Sequence, residues 1–222
     1  MARYVQYGCG FSPGEGWLNF DASPTLRIER LPVLGRALGR LSGNERRFPQ
    51  GVRFGDIVAG LPVEDGSVDG LYASHVLEHL SLADCRQALA NSRRMLRPGG
   101  VFRLIVPDLK ARARAYLEAG DDPAAAHAFL RSTGLGRDGR GAGLRAQLRG
   151  VLGNSEHLWM YDLASMTAEL ERAGFVDIRA ARIGDSGDAM FDRVEDPARF
   201  ADEGMTEVAV QARRPSDAAH DI

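Results

Sequence analysis

The sequence predicts an α/β protein: a doubly wound, mostly parallel sheet with helices on both faces. Three observations predict it. Short apolar runs alternate along the chain with stretches of helical spacing. Two glycines, Gly8 and Gly10, follow the first run, and a carboxylate, Asp21, ends the second. A later run, residues 101–106, is apolar at nearly every position, the pattern of a strand buried on both faces.

The first strand is Tyr4-Val5-Gln6-Tyr7 and the second Trp17-Leu18-Asn19-Phe20-Asp21. Residues 25–50 make a Gly/Arg/Pro-rich connection with an amphipathic piece over 31–41, and Val52-Arg53-Phe54 is a third strand. Turn chemistry over 62–67 leads into a fourth strand, 68–74. Ser81 reads as an N-cap, with Asp84 three places on in a loose capping box. Leu82, Cys85, Leu89, Ser92 and Leu96 continue at helical spacing. Pro98-Gly99-Gly100 stops that helix, with glycine as a left-handed cap, and a fifth strand follows at 101–106. Residues 109–154 hold helical stretches at 109–118 and 124–131 and then a Gly/Arg-rich run. This is too long for a plain connection and reads as an inserted lid. A patterned helix over 163–173 ends at Gly174, and strands at 175–182 and 206–213 complete a single domain of residues 1–214. The polar tail, 215–222, is expected to be disordered.

Bulk numbers narrow the classes. With 222 residues and 44% hydrophobic content, the chain can bury one sizeable core. A net charge of -2 exerts no general pull on nucleic acid or membrane. Two cysteines, Cys9 and Cys85, make neither a disulfide framework nor a metal cluster, and ligand spacing suggests no metal. No signal-peptide core or membrane-length apolar run occurs, so a reduced, cytoplasmic protein is expected.

Glycine, lacking a Cβ, lets a ligand lie against bare backbone. A carboxylate closing the neighbouring parallel strand is placed to accept both hydroxyls of a ribose. Gly8, Gly10 and Asp21 therefore read as a nucleoside site, although a Gly-x-Gly pair also marks an ordinary tight turn. A nicotinamide-dependent oxidoreductase would share the arrangement. Against it, Pro13 stands where the third glycine of G-x-G-x-x-G belongs, and no crossover helix follows.

At Val68-Asp69-Gly70-Leu71-Tyr72-Ala73-Ser74-His75-Val76-Leu77-Glu78-His79-Leu80, then Met95-Leu96-Arg97-Pro98-Gly99-Gly100-Val101-Phe102, the chain resembles class I S-adenosylmethionine-dependent methyltransferases. It is similar in particular to a small, type 11-like branch with a Gly-Cys-Gly opening and a His-x-Trp-Met-Tyr-Asp block. These are here Gly8-Cys9-Gly10 and His157-Leu158-Trp159-Met160-Tyr161-Asp162. The likeness covers residues 4–110 and 155–182 and is thin elsewhere. It implies a Rossmann-like sheet of seven strands with the last reversed. S-adenosylmethionine would lie across the carboxyl edge and leave as S-adenosylhomocysteine. On this resemblance Gly8, Cys9 and Gly10 run beneath the methionine half, and Asp21 takes the ribose hydroxyls. Asp56 meets the adenine amino group while Ile57 packs on the ring, and the Ala73/Ser74 backbone holds the ammonium. One departure stands out. Residues 11–16, with Pro13 and two glycines, are too short for the usual helical crossover. Either a sharp loop joins the two strands, or they pair as a β-hairpin that removes Asp21 from the ribose.

Methyl transfer from a sulfonium needs donor and acceptor in line and, for a hydroxyl or amine acceptor, loss of a proton. Residues that follow parallel strands gather at the carboxyl edge. That edge collects His75, Glu78, His79, Asp108, the block 157–162 and the connection 183–205. His75, His157 and Tyr161 are the candidate catalytic residues, the histidines first because imidazole titrates near neutral pH. Plainer roles compete: His79 packs or caps, Glu78 is a helix-start charge or bonds a loop, and Trp159 and Met160 fill core or wall the pocket. Lys110, Arg112, Arg114, Arg131, Arg137, Arg140, Arg145 and Arg149 form either a solvated face or a basic mouth that would draw an anionic acceptor. Sparse aromatics there argue against a nucleic-acid platform. The expected function is methyl transfer to an O or N of a small-molecule or glycan acceptor. The alternative is a non-catalytic cofactor-binding or interaction module.

Overall fold

The computed structural model describes residues 3–30, 47–136, 139, 156–202 and 204–216. The amphipathic piece expected over 31–41, the arginines Arg137, Arg140, Arg145 and Arg149 and most of the polar tail lie outside the described residues. In chain order the elements are β1 (Tyr4–Tyr7), β2 (Leu18–Asp21), α1 (Pro24–Glu29), β3 (Val52–Phe54), β4 (Val68–Ser74), α2 (Leu82–Met95) and β5 (Leu96–Val106). There follow α3 (Leu109–Glu118), α4 (Ala125–Ser132), α5 (Leu163–Arg172), β6 (Val176–Ala180), β7 (Ala201–Asp202), β8 (Met205–Thr206) and β9 (Val208–Arg213). Seven strands form one sheet in the order β3-β2-β1-β4-β5-β9-β6, and β7 with β8 forms a separate ribbon. Only β9 runs against its neighbours in the large sheet. Among the described residues no helix is long and apolar enough to cross a membrane.

Two boundaries differ from the expected ones. The helix over 82–96 stops at Met95, because Leu96 turns extended and pairs with Val68. The strand therefore starts at Leu96 and runs through Pro98-Gly99-Gly100 with a register shift. Gly99, at φ +73°, serves that irregularity and donates its N–H to the Arg214 carbonyl, rather than capping the helix. The short helix α1 lies in what reads as a plain connection, and it seats Leu26 with Cys9, Phe48 and Val52 in a small core.

Side chains alternate across each strand. On one face Val5, Tyr7, Phe20, Leu71, Phe102, Leu104 and Val210 pack with Cys85, Leu89 and Met95 of α2 and Met166 and Leu170 of α5. The other face departs from helices on both sides. There Tyr72, Ile105 and Ala209 meet Trp17 and Phe191, with Met190 and Val194 alongside, so the β6–β9 connection covers most of this face. The covering segment is pinned by Arg103 in mid-β5. Arg103 donates to Glu195 (2.6 Å), Asp185 (2.9 Å), Gln211 (2.7 Å) and the Arg182 carbonyl (2.9 Å).

The same face explains how β1 and β2 stay parallel with no crossover helix. The side chains of Gln6 and Asn19, one on each strand, accept from the Gly14 N–H at 3.1 and 2.9 Å. Asn19 also donates to the Gly14 carbonyl at 2.9 Å. The loop is thus tied to the sheet by side chains. Val194 lies so close that a Cβ on Gly14 would sit 2.3 Å from it. Register pairs Val5 with Leu18 and Tyr7 with Phe20 in parallel, which excludes the hairpin.

Candidate active site

Asp21 ends β2 beside the turn that leaves β1. Its carboxylate accepts from the Gly10 N–H at 2.9 Å and the Ser23 N–H at 2.8 Å. A carboxylate has about four lone-pair sites, so each oxygen retains one for an incoming hydroxyl. A Cβ on Gly10 would meet nothing within 4 Å, which leaves open space over this turn. Ser74, closing β4, has a buried Oγ with no hydrogen-bond partner of good geometry among the described residues. An orphaned polar atom at a strand's carboxyl end suits a ligand donor such as an ammonium. Asp56 sits after β3, and its Oδ1 accepts from the Val58 N–H at 2.8 Å. Asp21, Gly10, Asp56 and Ser74 therefore stand along the carboxyl ends of four adjacent strands, as expected.

Two side chains of this edge turn into the core, and Gly8 keeps its place at the turn. The Cys9 side chain is buried with Leu26 and Val52, and burial pushes its thiol up to about 12, so only its backbone faces the turn. Ile57 is packed into the main core beside Leu61, which removes its side chain from an adenine ring. Gly8 serves the protein itself: at φ +66°, a Cβ there would lie 2.1 Å from Cγ2 of Val76. Gly8→Ala is expected to cost about 1–3 kcal/mol, since a β-branched neighbour in a packed turn yields poorly. Gly10→Ala meets no neighbour and should cost only the left-handed backbone, about 1 kcal/mol. Urea midpoints at constant m would compare the two.

Beyond the end of β4 five stretches converge. A cavity of about 240 Å³ is lined by His75, Pro107, Arg112, His157, Ala198, Arg199 and Glu207. The lining comes from the β4 turn, the end of β5, α3, the block before α5 and the β6–β9 connection. A larger groove of about 470 Å³ beside α5 takes Asp108, Lys110 and Asp162 from the expected edge but none of the candidate catalytic residues. His75 adopts φ +54°, strained for a non-glycine residue. Its Nε2 faces the Arg199 carbonyl at 3.1 Å and its Nδ1 lies 3.4 Å from Oε1 of Glu78. Burial pulls its pKa down, but the hydrogen bond to Glu78 and that carboxylate's charge outweigh it and leave the pKa raised. With acceptors at both nitrogens, His75 is a clamp between β4 and the 198–199 stretch rather than a free base. His157 is the converse. Its Nδ1 donates to the Thr133 carbonyl at 2.7 Å, which leaves the lone pair on Nε2, and burial lowers its pKa.

Tyr161 does not join them. It is 1% exposed, packed in the main core against Cys85, and its phenol is pushed far above the ordinary value by burial. Its backbone instead forms the bridge to Asp108 and accepts from the Leu109 N–H. Asp108 caps α3 by accepting from the Lys110 N–H. Trp159 is exposed rather than core. Of the inserted basic residues, Arg112 is buried and bidentate to Glu207, at 3.0 and 2.9 Å, so it is neutralised rather than presented. Two functional features were missed. Glu78 stands in the first turn of a short 3-10 helix, Leu77–His79, but is fully buried, and Arg199 reaches the cavity from a stretch with no sequence pattern. A carboxylate set between two histidines in His75-Val76-Leu77-Glu78-His79 is the signal that could have flagged Glu78.

The sheet order, the reversed β9 and the carboxylate closing β2 over a glycine turn are those of the Rossmann-like fold of class I S-adenosylmethionine-dependent methyltransferases. The family comparison points the same way: residues 31–104, a third of the chain, match the family described as a methyltransferase domain. Over 105 residues it is 37% identical to an uncharacterized 37.1 kDa protein in a transposon of Streptomyces fradiae, covering 47% of this chain and 30% of that protein. Among solved structures it is similar to a possible histamine N-methyltransferase from Thermotoga maritima (15% identity, 96% of this chain and 83% of that one, TM-score 0.48). It is also similar to phosphoethanolamine N-methyltransferase 2 of Haemonchus contortus (13%, 97% and 49%, TM-score 0.47). The chain thus spans about a third of the curated relative that it matches.

Proposed function

We propose that this chain is an enzyme that transfers a methyl group from S-adenosylmethionine to an oxygen or nitrogen of a small, anionic acceptor such as a glycan. The observation that carries this reading is Asp21, held by two backbone amides with hydroxyl-accepting positions to spare, above the open turn at Gly10. S-adenosylmethionine supplies a methyl group activated by a sulfonium. Asp21 would accept the ribose hydroxyls, Asp56 would stand at the adenine end, and Ala73 and Ser74 would hold the ammonium at the close of β4. The acceptor would enter the 240 Å³ cavity, where the exposed Arg199 would receive its negative charge. His157 would act on the acceptor's proton, directly or through what its Nε2 binds, and His75 would fix the wall that carries Arg199.

Calorimetric titration with S-adenosylmethionine, S-adenosylhomocysteine and NAD tests the first half. Asp21→Ala is expected to weaken cofactor binding by about 1–3 kcal/mol, the scale of lost hydrogen bonds to a charged group, or roughly 5- to 150-fold. An unchanged dissociation constant, or binding of NAD alone, would remove the assignment. Detection of S-adenosylhomocysteine across nucleotide sugars and other anionic glycans tests the second half.

A further inference from the structure

Glu78, His79 and His157 come together beside the cavity, although ligand spacing along the chain suggests no metal. The two stretches are laced by backbone: Leu158 and Trp159 both donate N–H groups to the Glu78 carbonyl. One carboxylate oxygen of Glu78 and one nitrogen from each histidine all lie within 4.8 Å of one another. Glu78 is 0% exposed, and among the described residues its carboxylate has no hydrogen-bond partner beyond the long approach of the His75 ring. The imidazole nitrogens facing it are His75 Nδ1 at 3.4 Å and His79 Nε2 at 3.9 Å. A buried carboxylate is costly unless something cationic satisfies it.

The histidines are oriented in the matching sense. His79 Nδ1 lies 3.0 Å from the Glu156 carbonyl, and His157 Nδ1 lies 2.7 Å from the Thr133 carbonyl. A carbonyl only accepts, so both Nδ1 atoms carry the hydrogen and both Nε2 atoms carry the lone pair. A ring N–H given to a backbone carbonyl while the other nitrogen turns inward is the outer shell that surrounds metal-bound histidine. Two such histidines and a carboxylate are also a known donor set for zinc with one position left open.

We propose that Glu78, His79 and His157 bind a divalent transition-metal ion, zinc before others. Ligand atoms of a tetrahedral zinc lie about 3.3 Å apart for bonds of about 2.0–2.1 Å, so the three groups need to close by up to roughly 1.5 Å. His157 also lines the acceptor cavity, so the open position faces that space. Resting on the proposed function, a coordinated acceptor oxygen there would have its pKa lowered by the ion. The metal site itself does not depend on that reading.

The test uses the full chain, stripped with chelator. Zinc is titrated calorimetrically, and cobalt(II) is followed by the visible bands of its four-coordinate complex. One ion per chain is expected, together with a higher thermal midpoint for the loaded protein. Glu78→Gln and His157→Ala should each weaken binding by more than the 10–100-fold typical of losing an outer-shell partner. Should Glu78→Gln fail to fold, His157→Ala, at a partly exposed position, reads the same property. Absence of stoichiometric binding, or binding undiminished in a folded variant, overturns the proposal. S-adenosylmethionine titrations of the stripped protein keep the two readings apart. Cofactor binding without metal binding sinks the metal site alone, and metal binding without cofactor binding sinks the Asp21 assignment alone.

Discussion

Replacing His157 by alanine is expected to lower turnover by about 10²–10⁴-fold, the range for loss of a group that acts on the acceptor's proton. Affinity for S-adenosylmethionine should change little, because His157 stands on the acceptor side and Asp21 on the other. Three contacts fix the ring. Thr133 accepts from Nδ1, His79 lies against it in a T-shaped pair at 5.0 Å, and Gly134 approaches so closely that a Cβ there would be 2.7 Å from Nδ1. A side chain held so firmly by a hydrogen bond that leaves Nε2 open is arranged for use. His75→Ala should behave differently. Its nitrogens already face Glu78 and the Arg199 carbonyl, so its removal should loosen the cavity wall and raise KM more than it lowers kcat. Single-turnover rates alongside cofactor titrations separate these outcomes. Full activity in His157→Ala would remove it from the chemistry.

Much of the sheet was legible in the chain, and the reasons are local. The third and fourth strands fall at Val52–Phe54 and Val68–Ser74, as their apolar runs and flanking turns indicate. Ser81 and Gly174 mark a helix start and a helix end as their backbone chemistry requires. The carboxyl-edge gathering of His75, His157 and the β6–β9 connection follows from strand direction alone. What stayed hidden depends on contacts between distant segments. Tyr161 shares a motif with His157, yet its side chain points into the core while the histidine faces the cavity. Cys9 and Ile57 sit between residues of the cofactor edge but fill the core. His79 meets Glu156 across 77 residues, a distance that no spacing rule spans. The Gln6 and Asn19 side chains replace an entire crossover helix, and nothing in their identity announces it.

The largest stability effect should come from Arg103, the one charge in the apolar run 101–106 and a residue that signals buried partners. Arg103→Ala is expected to destabilise the fold by about 3–5 kcal/mol, because Glu195 would be left buried and uncompensated. That is a large share of the roughly 5–15 kcal/mol that separates folded from unfolded domains. The guanidinium reaches Glu195, Asp185, Gln211 and the Arg182 carbonyl, and it lies 5.7 Å from the Phe191 ring centroid. Glu195 in turn accepts from the Gly184 N–H at 3.0 Å. Arg103 therefore fastens both ends of residues 182–195 to the sheet. This segment covers the face that lacks a crossover helix and continues into Ala198 and Arg199 at the cavity. If the charge pair matters mainly as a matched pair, replacing Arg103 and Glu195 together by leucine should recover most of the loss. Urea unfolding of the two single variants and the double variant would measure the coupling. Additive losses would show that the ion pair does not hold this segment in place.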